Sequence, residues 1–211
     1  MNSVAFLLSV YKSDEYYLER SLDSIINQSY KKMIYIYVIM DGHNKDLEEF
    51  LIQKSQEISY KKNRKIKYFI KKNSGLAKSL NFGLSKINEK FIFRQDDDDF
   101  SLPERVVDTL KIFKKYPKTA IVGSSIIKYD LRRNRKKSMQ IFHYPKSKFN
   151  QIFLLLSGKC PAAHPTICFN IKQIEKYDWI DTKNMYPLVK DEDIALWYKF
   201  ITNKIFIYQI P

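Results

Sequence analysis

The sequence predicts an α/β protein with a mostly parallel, doubly wound sheet, and three observations carry that prediction. Nearly continuous apolar runs with β-branched members occur at SVAFLLSVY (3–11), IYIYVIM (34–40) and FIF (91–93), as strands buried on both faces require. Amphipathic helical stretches alternate with them over about the first 115 residues. Two of the runs lead directly to aspartates, Asp41 and the series from Asp96 to Asp99, at the sheet edge where open α/β proteins bind ligands.

The elements follow in order. After the first strand, Ser13 is the expected N-cap of a helix with Asp14 and Glu15 in its first turn and Leu18, Leu22, Ile25 and Ile26 on one face. The second strand ends at Asp41-Gly42. Residues 47–58 read as a helix and IKYFI (66–70) as a strand. Asn73 and Ser74 are expected to start the next helix, whose apolar face is Leu76, Leu80, Leu84 and Ile87. Beyond the aspartates, Ser101 and Glu104 have capping-box spacing, Pro103 suits a first turn, and Val106, Val107, Leu110 and Phe113 form a stripe. The second half is less regular: one strand around AIVGSSIIKY, a basic turn at RRNRKK (132–137), an apolar helix near FNQIFLLLS and a strand at TICFN. We expect a single domain over 1–211, with a soft internal boundary at 117/118.

A chain of 211 residues with 45% hydrophobic content is long enough to bury a core of its own. Its 37 Lys and Arg against 23 Asp and Glu, a formal +14, favour anionic partners without choosing among them. Cys160 and Cys168 fit neither a zinc pattern nor a disulfide framework, which points to a reducing compartment. The opening residues lack a basic start and no apolar run reaches membrane-spanning length, so the expected location is cytoplasmic, with the basic surface able to contact anionic lipid.

FRQDDDDFSLPER (93–105) asks most of the chemistry. Four adjacent carboxylates suit a solvated loop, but at a strand end beside a helix they repel one another, and protonation or a divalent cation relieves the conflict. Mg²⁺ or Mn²⁺ held by one or two carboxylates, with phosphate oxygens completing the shell, is the usual arrangement at nucleotide sites. Arg94 beside them is placed to pair with a phosphate or an aspartate. Asp41 reads either as a turn residue or as an acceptor for a base or ribose, and Tyr11 either as a core-edge tyrosine or as a packing surface for the base. Asn73, Gly75 and the aspartates would converge with them on one sheet edge.

In order along the chain, LLSVYKSDEYYLERSLDSIINQSY, VIMDG, KKNSGLAKSLNFGLSK, FRQDDDDFSLPER, HPTICF and DEDIALW together resemble the family 2 glycosyltransferases, which have the GT-A fold, especially bacterial enzymes that assemble lipopolysaccharide and capsule sugars. The resemblance implies inverting transfer of a sugar from a nucleoside diphosphate donor, usually UDP-linked, to an acceptor hydroxyl on a glycan or lipid-linked carrier. It implies that Tyr11 belongs to a nucleotide clamp, that Asp41 faces the base, and that Asn73, Gly75 and Lys78 lie near the nucleotide. The family's Asp-Ala-Asp-Asp pattern falls on Asp96 to Asp99, making Asp96 and Asp98 the metal and donor pair. Asp97 takes the alanine position and is expected to be dispensable, and Asp99 to orient the loop. KDEDIALW (190–197) matches the segment supplying the catalytic base, with Asp193 in that role and Glu192 beside it; read without the resemblance, these acids are a helix start. His164 in the His-Pro-Thr segment is an acceptor contact or a buried structural histidine, and Trp197 is expected in the core. The chain ends at IYQIP, where many members of the family continue.

Three rival readings remain. KKNRKIKYFIKK (61–72) and RRNRKK, with interleaved aromatics, suit single-stranded nucleic acid, but no nucleic-acid motif accompanies them and none is expected as partner. Nucleotidyl transfer also uses paired aspartates, but residues 3–14 lack the glycine-rich loop. An inactive sugar-nucleotide binder is the third.

Overall fold

β1 (Ser3–Val10) runs through the interior of a seven-stranded sheet, and its alternation divides the interior into two cores. Ala5 and Leu7 face one core, while Val4, Phe6, Leu8 and Val10 face the other. Fully burying a leucine, isoleucine or phenylalanine contributes roughly 1.5–3 kcal/mol, so a strand apolar on both faces has its lowest free energy inside the sheet. This computed structural model describes residues 3–61, 63–128, 140–178 and 180–211.

From β1 the chain passes through α1 (Glu15–Ile26), β2 (Met33–Asp41), α2 (Lys45–Glu57), β3 (Arg64–Lys71), α3 (Leu76–Lys86), β4 (Phe91–Arg94) and α4 (Arg105–Lys115). The less regular half follows: β5 (Ile121–Ser124), β6 (Ile126–Lys128), β7 (Gln140–Phe142), α5 (Lys148–Leu156), a 3-10 turn (His164–Thr166), β8 (Cys168–Asn170), α6 (Ile171–Ile174), α7 (Glu192–Thr202) and β9 (Ile207–Ile210). The sheet order is β3-β2-β1-β4-β8-β5-β9. The first four strands in that order are parallel, with Ser3 opposite Met33 and Asp41 opposite Lys71, and only β8 runs antiparallel to its neighbours. Strands from both sides of residue 118 thus share one sheet.

Several local expectations need correction. Asp14, not Ser13, caps α1, accepting from Tyr16 N at 2.9 Å, because the Ser13 hydroxyl is engaged by Asp97. Asn73 and Ser74 lie before α3, whose N-cap is Gly75 at φ 94°, a left-handed conformation that suits glycine. Ser101 and Glu104 form no capping box: the Ser101 hydroxyl donates to Gln95 Oε1 and accepts from Arg105, and α4 starts one residue after Glu104 with no side-chain cap. The run AIVGSSIIKY is two strands, since β5 joins the main sheet while β6 pairs with β7 in a separate ribbon. RRNRKK lies outside the described residues.

Three cations of the basic segment around β3, Arg64, Lys67 and Lys71, are engaged internally. Arg64 is buried and donates to the carbonyls of Ile26, Gln28, Tyr30, Lys32 and Asn63 at 2.8–3.2 Å, fastening β3 to the α1–β2 connection. Lys67 lies over the rings of Tyr35 and Tyr37, and Lys71 turns to Asp41. The nucleic-acid reading loses those cations. Among the described residues, no helix is long and apolar enough to cross a membrane.

Candidate active site

The chain winds outward from β1 to β2 and β3, then returns to place β4 on the other side of β1. Where strand order reverses, the carboxyl ends of neighbouring strands diverge and leave a crevice. A cleft of about 290 Å³ opens there, lined by Ser9, Tyr11, Asp41, Asn73, Gly75, Leu76, Arg94, Asp96 and Asp97. The structure therefore brings together most of the donor-side residues expected from the sequence. Tyr11 is 52% exposed, its ring open to the cleft. Lys78 is exposed on α3 and lies outside the cleft lining.

Asp41 anchors one wall. Its Oδ1 accepts from Lys71 Nζ at 2.6 Å and Ser74 N at 2.9 Å, and its Oδ2 from Gly75 N at 2.8 Å. Burial by itself would raise its pKa, but these three donors and the Lys71 charge outweigh it and hold the carboxyl below its ordinary value. Asp41 thus shapes the loop from Asn73 to Gly75. Asp41→Ala leaves the Lys71 ammonium and two backbone N–H groups without their acceptor, and unfolding free energy at pH 7 is expected to fall by about 3 kcal/mol. Because the folded pKa is depressed, that contribution is present above the unfolded value and is lost as pH falls through the folded one. The gap between the two proteins in denaturant melts should therefore narrow at acid pH.

Arg94 and the acidic turn form the opposite wall. Arg94 is buried, donates to Asp96 Oδ1 and the Gln95 carbonyl, and among the described residues has no partner for its Nε. Oxygens of Asp96, Asp98 and Asp99 lie within 4.8 Å of one another. Three hard carboxylate oxygens at that spacing fit Mg²⁺ or Mn²⁺, and Asp96 belongs to the cleft lining as well. Although its side chain reaches solvent, the Asp99 carboxyl is pushed up to about 6, first by desolvation and then by the charges of Asp96 and Asp98. Asp97 is outside this trio, but against the expectation that it is dispensable its carboxylate accepts from Ser13 and ties the β1–α1 loop to the turn.

The scaffold beneath the turn went unnoticed in the sequence. Gln95, 1% exposed, donates to Ser21 Oγ at 2.8 Å and to the Asp99 carbonyl at 3.2 Å, while Ser21 Oγ donates to the Asp96 carbonyl at 2.9 Å. Arg105 donates to the carbonyls of Arg94 at 2.7 Å and Pro165 at 2.8 Å. One signal was available: Ser21 interrupts the apolar stripe of α1 between Leu18 and Leu22, where a buried hydroxyl needs a partner.

Glu192 and Asp193 occupy the first turn of α7, so the helix-start reading holds whatever else they do. Desolvation first, then the Asp193 charge, raises the Glu192 carboxyl. The charges of both acids act on Tyr186, as do those of Arg94 and Asp96. This tyrosine is buried, its hydroxyl is 2.9 Å from His164 Nε2, and its backbone is clamped by two 2.8 Å bonds to Asn81. Burial raises its pKa most, ahead of those four charges. His164 is buried against Tyr186 and Trp197, and desolvation, then the Arg94 charge, holds its pKa well below the ordinary value, which favours the neutral ring. Trp197 is fully buried, as expected. A larger concavity of about 560 Å³ runs along β9 at the far edge of the sheet; lysines line it and carboxylates do not.

Fold and site together define a GT-A glycosyltransferase architecture. The family model for Glycosyl transferase family 2 matches residues 6–177, and the chain belongs to that family. It is 27% identical over 203 residues to an uncharacterized glycosyltransferase of Methanocaldococcus jannaschii, covering 95% of this chain and 65% of that protein. To an O-antigen biosynthesis glycosyltransferase of Escherichia coli it is 25% identical over 203 residues, covering 96% and 73%. Among solved structures, S. aureus TarS in complex with UDP-GlcNAc superposes with a TM-score of 0.71 at 19% identity, over 100% of this chain and 56% of TarS. A mannosyltransferase of Pyrobaculum calidifontis in complex with GDP-Man and Mn²⁺ gives 0.66 at 14% identity, over 99% and 54%. The chain thus spans less than two thirds of several of these proteins.

Proposed function

We infer that the protein is a metal-dependent inverting glycosyltransferase that moves a sugar from a nucleoside diphosphate donor, UDP-linked in the first instance, to a hydroxyl of a glycan or lipid-linked acceptor in surface polysaccharide or lipopolysaccharide synthesis. The observation that supports it best is the double position of Asp96, which belongs both to the cleft wall and to the carboxylate trio. A donor base and ribose against Tyr11, Asp41, Asn73 and Gly75 would then direct the diphosphate toward Asp96 and Asp98. That two structural neighbours are complexes with UDP-GlcNAc and with GDP-Man and Mn²⁺ supports a nucleotide-sugar donor for this fold. On this reading residues 1–117 form the donor half and 118–211 the acceptor half.

Mn²⁺ or Mg²⁺ bound to Asp96 and Asp98 would stabilise negative charge on the leaving diphosphate. The chain supplies the rest. Arg94 orients Asp96, while Gln95, Ser21 and Arg105 hold the turn so that its carboxylates are placed before the donor arrives. Asp193 takes the proton of the acceptor hydroxyl as its oxygen bonds to the anomeric carbon; the bond from that carbon to the diphosphate oxygen breaks, and the configuration inverts. Glu192, with its raised carboxyl, supports Asp193 from the same helical turn. Screening UDP-, GDP- and TDP-sugars with Mn²⁺ by thermal shift and donor hydrolysis tests the reading, because a ligand bound at one hundred times its Kd stabilises the fold by ~2.7 kcal/mol. A UDP-sugar is expected to give the largest Mn²⁺-dependent shift. Stabilisation without hydrolysis or transfer would instead mark an inactive binder, and a flat response to every donor would refute the site.

A further inference from the structure

α5 has an inverted outer surface. Gln151 and Leu155 face the protein, and Gln151 clamps β9 by donating to the Ile207 carbonyl at 2.7 Å and accepting from Ile207 N at 3.1 Å. The opposite side carries Phe149, Ile152, Phe153 and Leu156, which are 76, 38, 61 and 77% exposed. Their spacing of i, i+3, i+4 and i+7 places them in one stripe, where a water-facing helix normally carries charged groups. Along the sequence the charges flanking the stripe have a single sign, although α5 packs against α7, whose first turn carries Glu192 and Asp193. Lys146 and Lys148 precede the stripe and Lys159 follows it, all exposed, and residues 140–174 contain no Asp or Glu.

We propose that α5 docks the protein on an anionic lipid surface, with the apolar stripe at the headgroup–acyl boundary and the three lysines against lipid phosphates. A short helix with an aromatic and aliphatic stripe flanked along the chain by lysines suits the bilayer interface, where apolar burial and attraction to anionic headgroups add. The stripe lacks the charged or polar anchor that would fix its register on a protein groove, whereas a fluid surface requires none. At nine residues the helix is too short to span. The inference goes beyond the transfer reading and does not depend on it, since α5 contributes no side chain to the cleft.

Co-sedimentation of the full chain with vesicles provides the test. Equimolar phosphatidylcholine and phosphatidylglycerol should retain the protein, and phosphatidylcholine alone should retain far less. Phe153→Asp is expected to lower the partition coefficient by roughly ten-fold or more, and Lys146→Gln with Lys148→Gln by a similar factor at low salt. Tyr60→Asp is the control, since Tyr60 is 73% exposed and lies in the turn between α2 and β3, away from the stripe. Because the substituted side chains are exposed, melting temperatures should be unchanged, which separates lost docking from lost folding. Wild type that stays in the supernatant, or Phe153→Asp that sediments like wild type, overturns the proposal. A lipid-free dimer that Phe153→Asp dissociates would assign the stripe to a second copy and overturn it equally.

Discussion

Asp193→Asn is expected to cut sugar transfer by ~10²–10⁴-fold while leaving donor affinity within about two-fold of wild type. Asparagine keeps the size of the side chain and its place in the first turn of α7, but it cannot accept the acceptor's proton at neutral pH. The donor cleft contains no atom of α7, so nucleotide binding and its Mn²⁺ response should persist. Radiolabelled transfer and donor thermal shift, measured on the same preparation, read the two quantities separately. Parallel loss of both would indicate that Asp193 positions the donor or supports the fold, and unchanged transfer would remove it from the reaction. Glu192→Gln provides an internal comparison, since its raised carboxyl already holds a proton more readily and its loss should cost less.

The sheet was legible because its information is local. An eight-residue strand apolar on both faces and a helix with a clear stripe each state their environment in sequence spacing, and β1, β2 and α1 follow that reading closely. The strand-end aspartates were legible for the same reason, since a strand delivers its next residues to a defined edge. What escaped was chemistry decided across long sequence separations. Ser13 has the composition of an N-cap, yet Asp97, 84 residues away, takes its hydroxyl. Ser101 and Glu104 satisfy a capping-box pattern, but buried Gln95 offers Ser101 a partner, and the helix starts without the box. Lys71 gave no sign of its role until the parallel register placed it opposite Asp41. The split of AIVGSSIIKY between two sheets likewise depends on partners, β9 for one half and β7 for the other.

The same distinction governs the acidic turn, where one-dimensional pattern and three-dimensional placement give the four carboxylates different roles. Asp98→Ala is expected to weaken Mn²⁺-dependent donor binding by at least ~100-fold, the size of effect carried by a metal worth several kcal/mol to the charge on a diphosphate. Removing Asp98 leaves two of the three carboxylate oxygens, with Asp96 still held by Arg94, so the turn keeps its shape and loses its ligand. The fold should not suffer, because Asp98 is exposed and removing it relieves repulsion on Asp99. Titrating donor with and without Mn²⁺, and again after EDTA, distinguishes a lost metal site from a lost nucleotide site: the variant should bind in Mn²⁺ as weakly as wild type binds in EDTA. Asp97→Ala supplies the contrast. It lacks a place in the oxygen trio, so its Mn²⁺ response should survive, while release of Ser13 loosens the β1–α1 loop beside Tyr11 and weakens binding with or without metal. If Asp97→Ala abolished the Mn²⁺ response and Asp98→Ala left it intact, the pairing of Asp96 with Asp98 would be wrong, and the metal would belong one residue earlier in the turn.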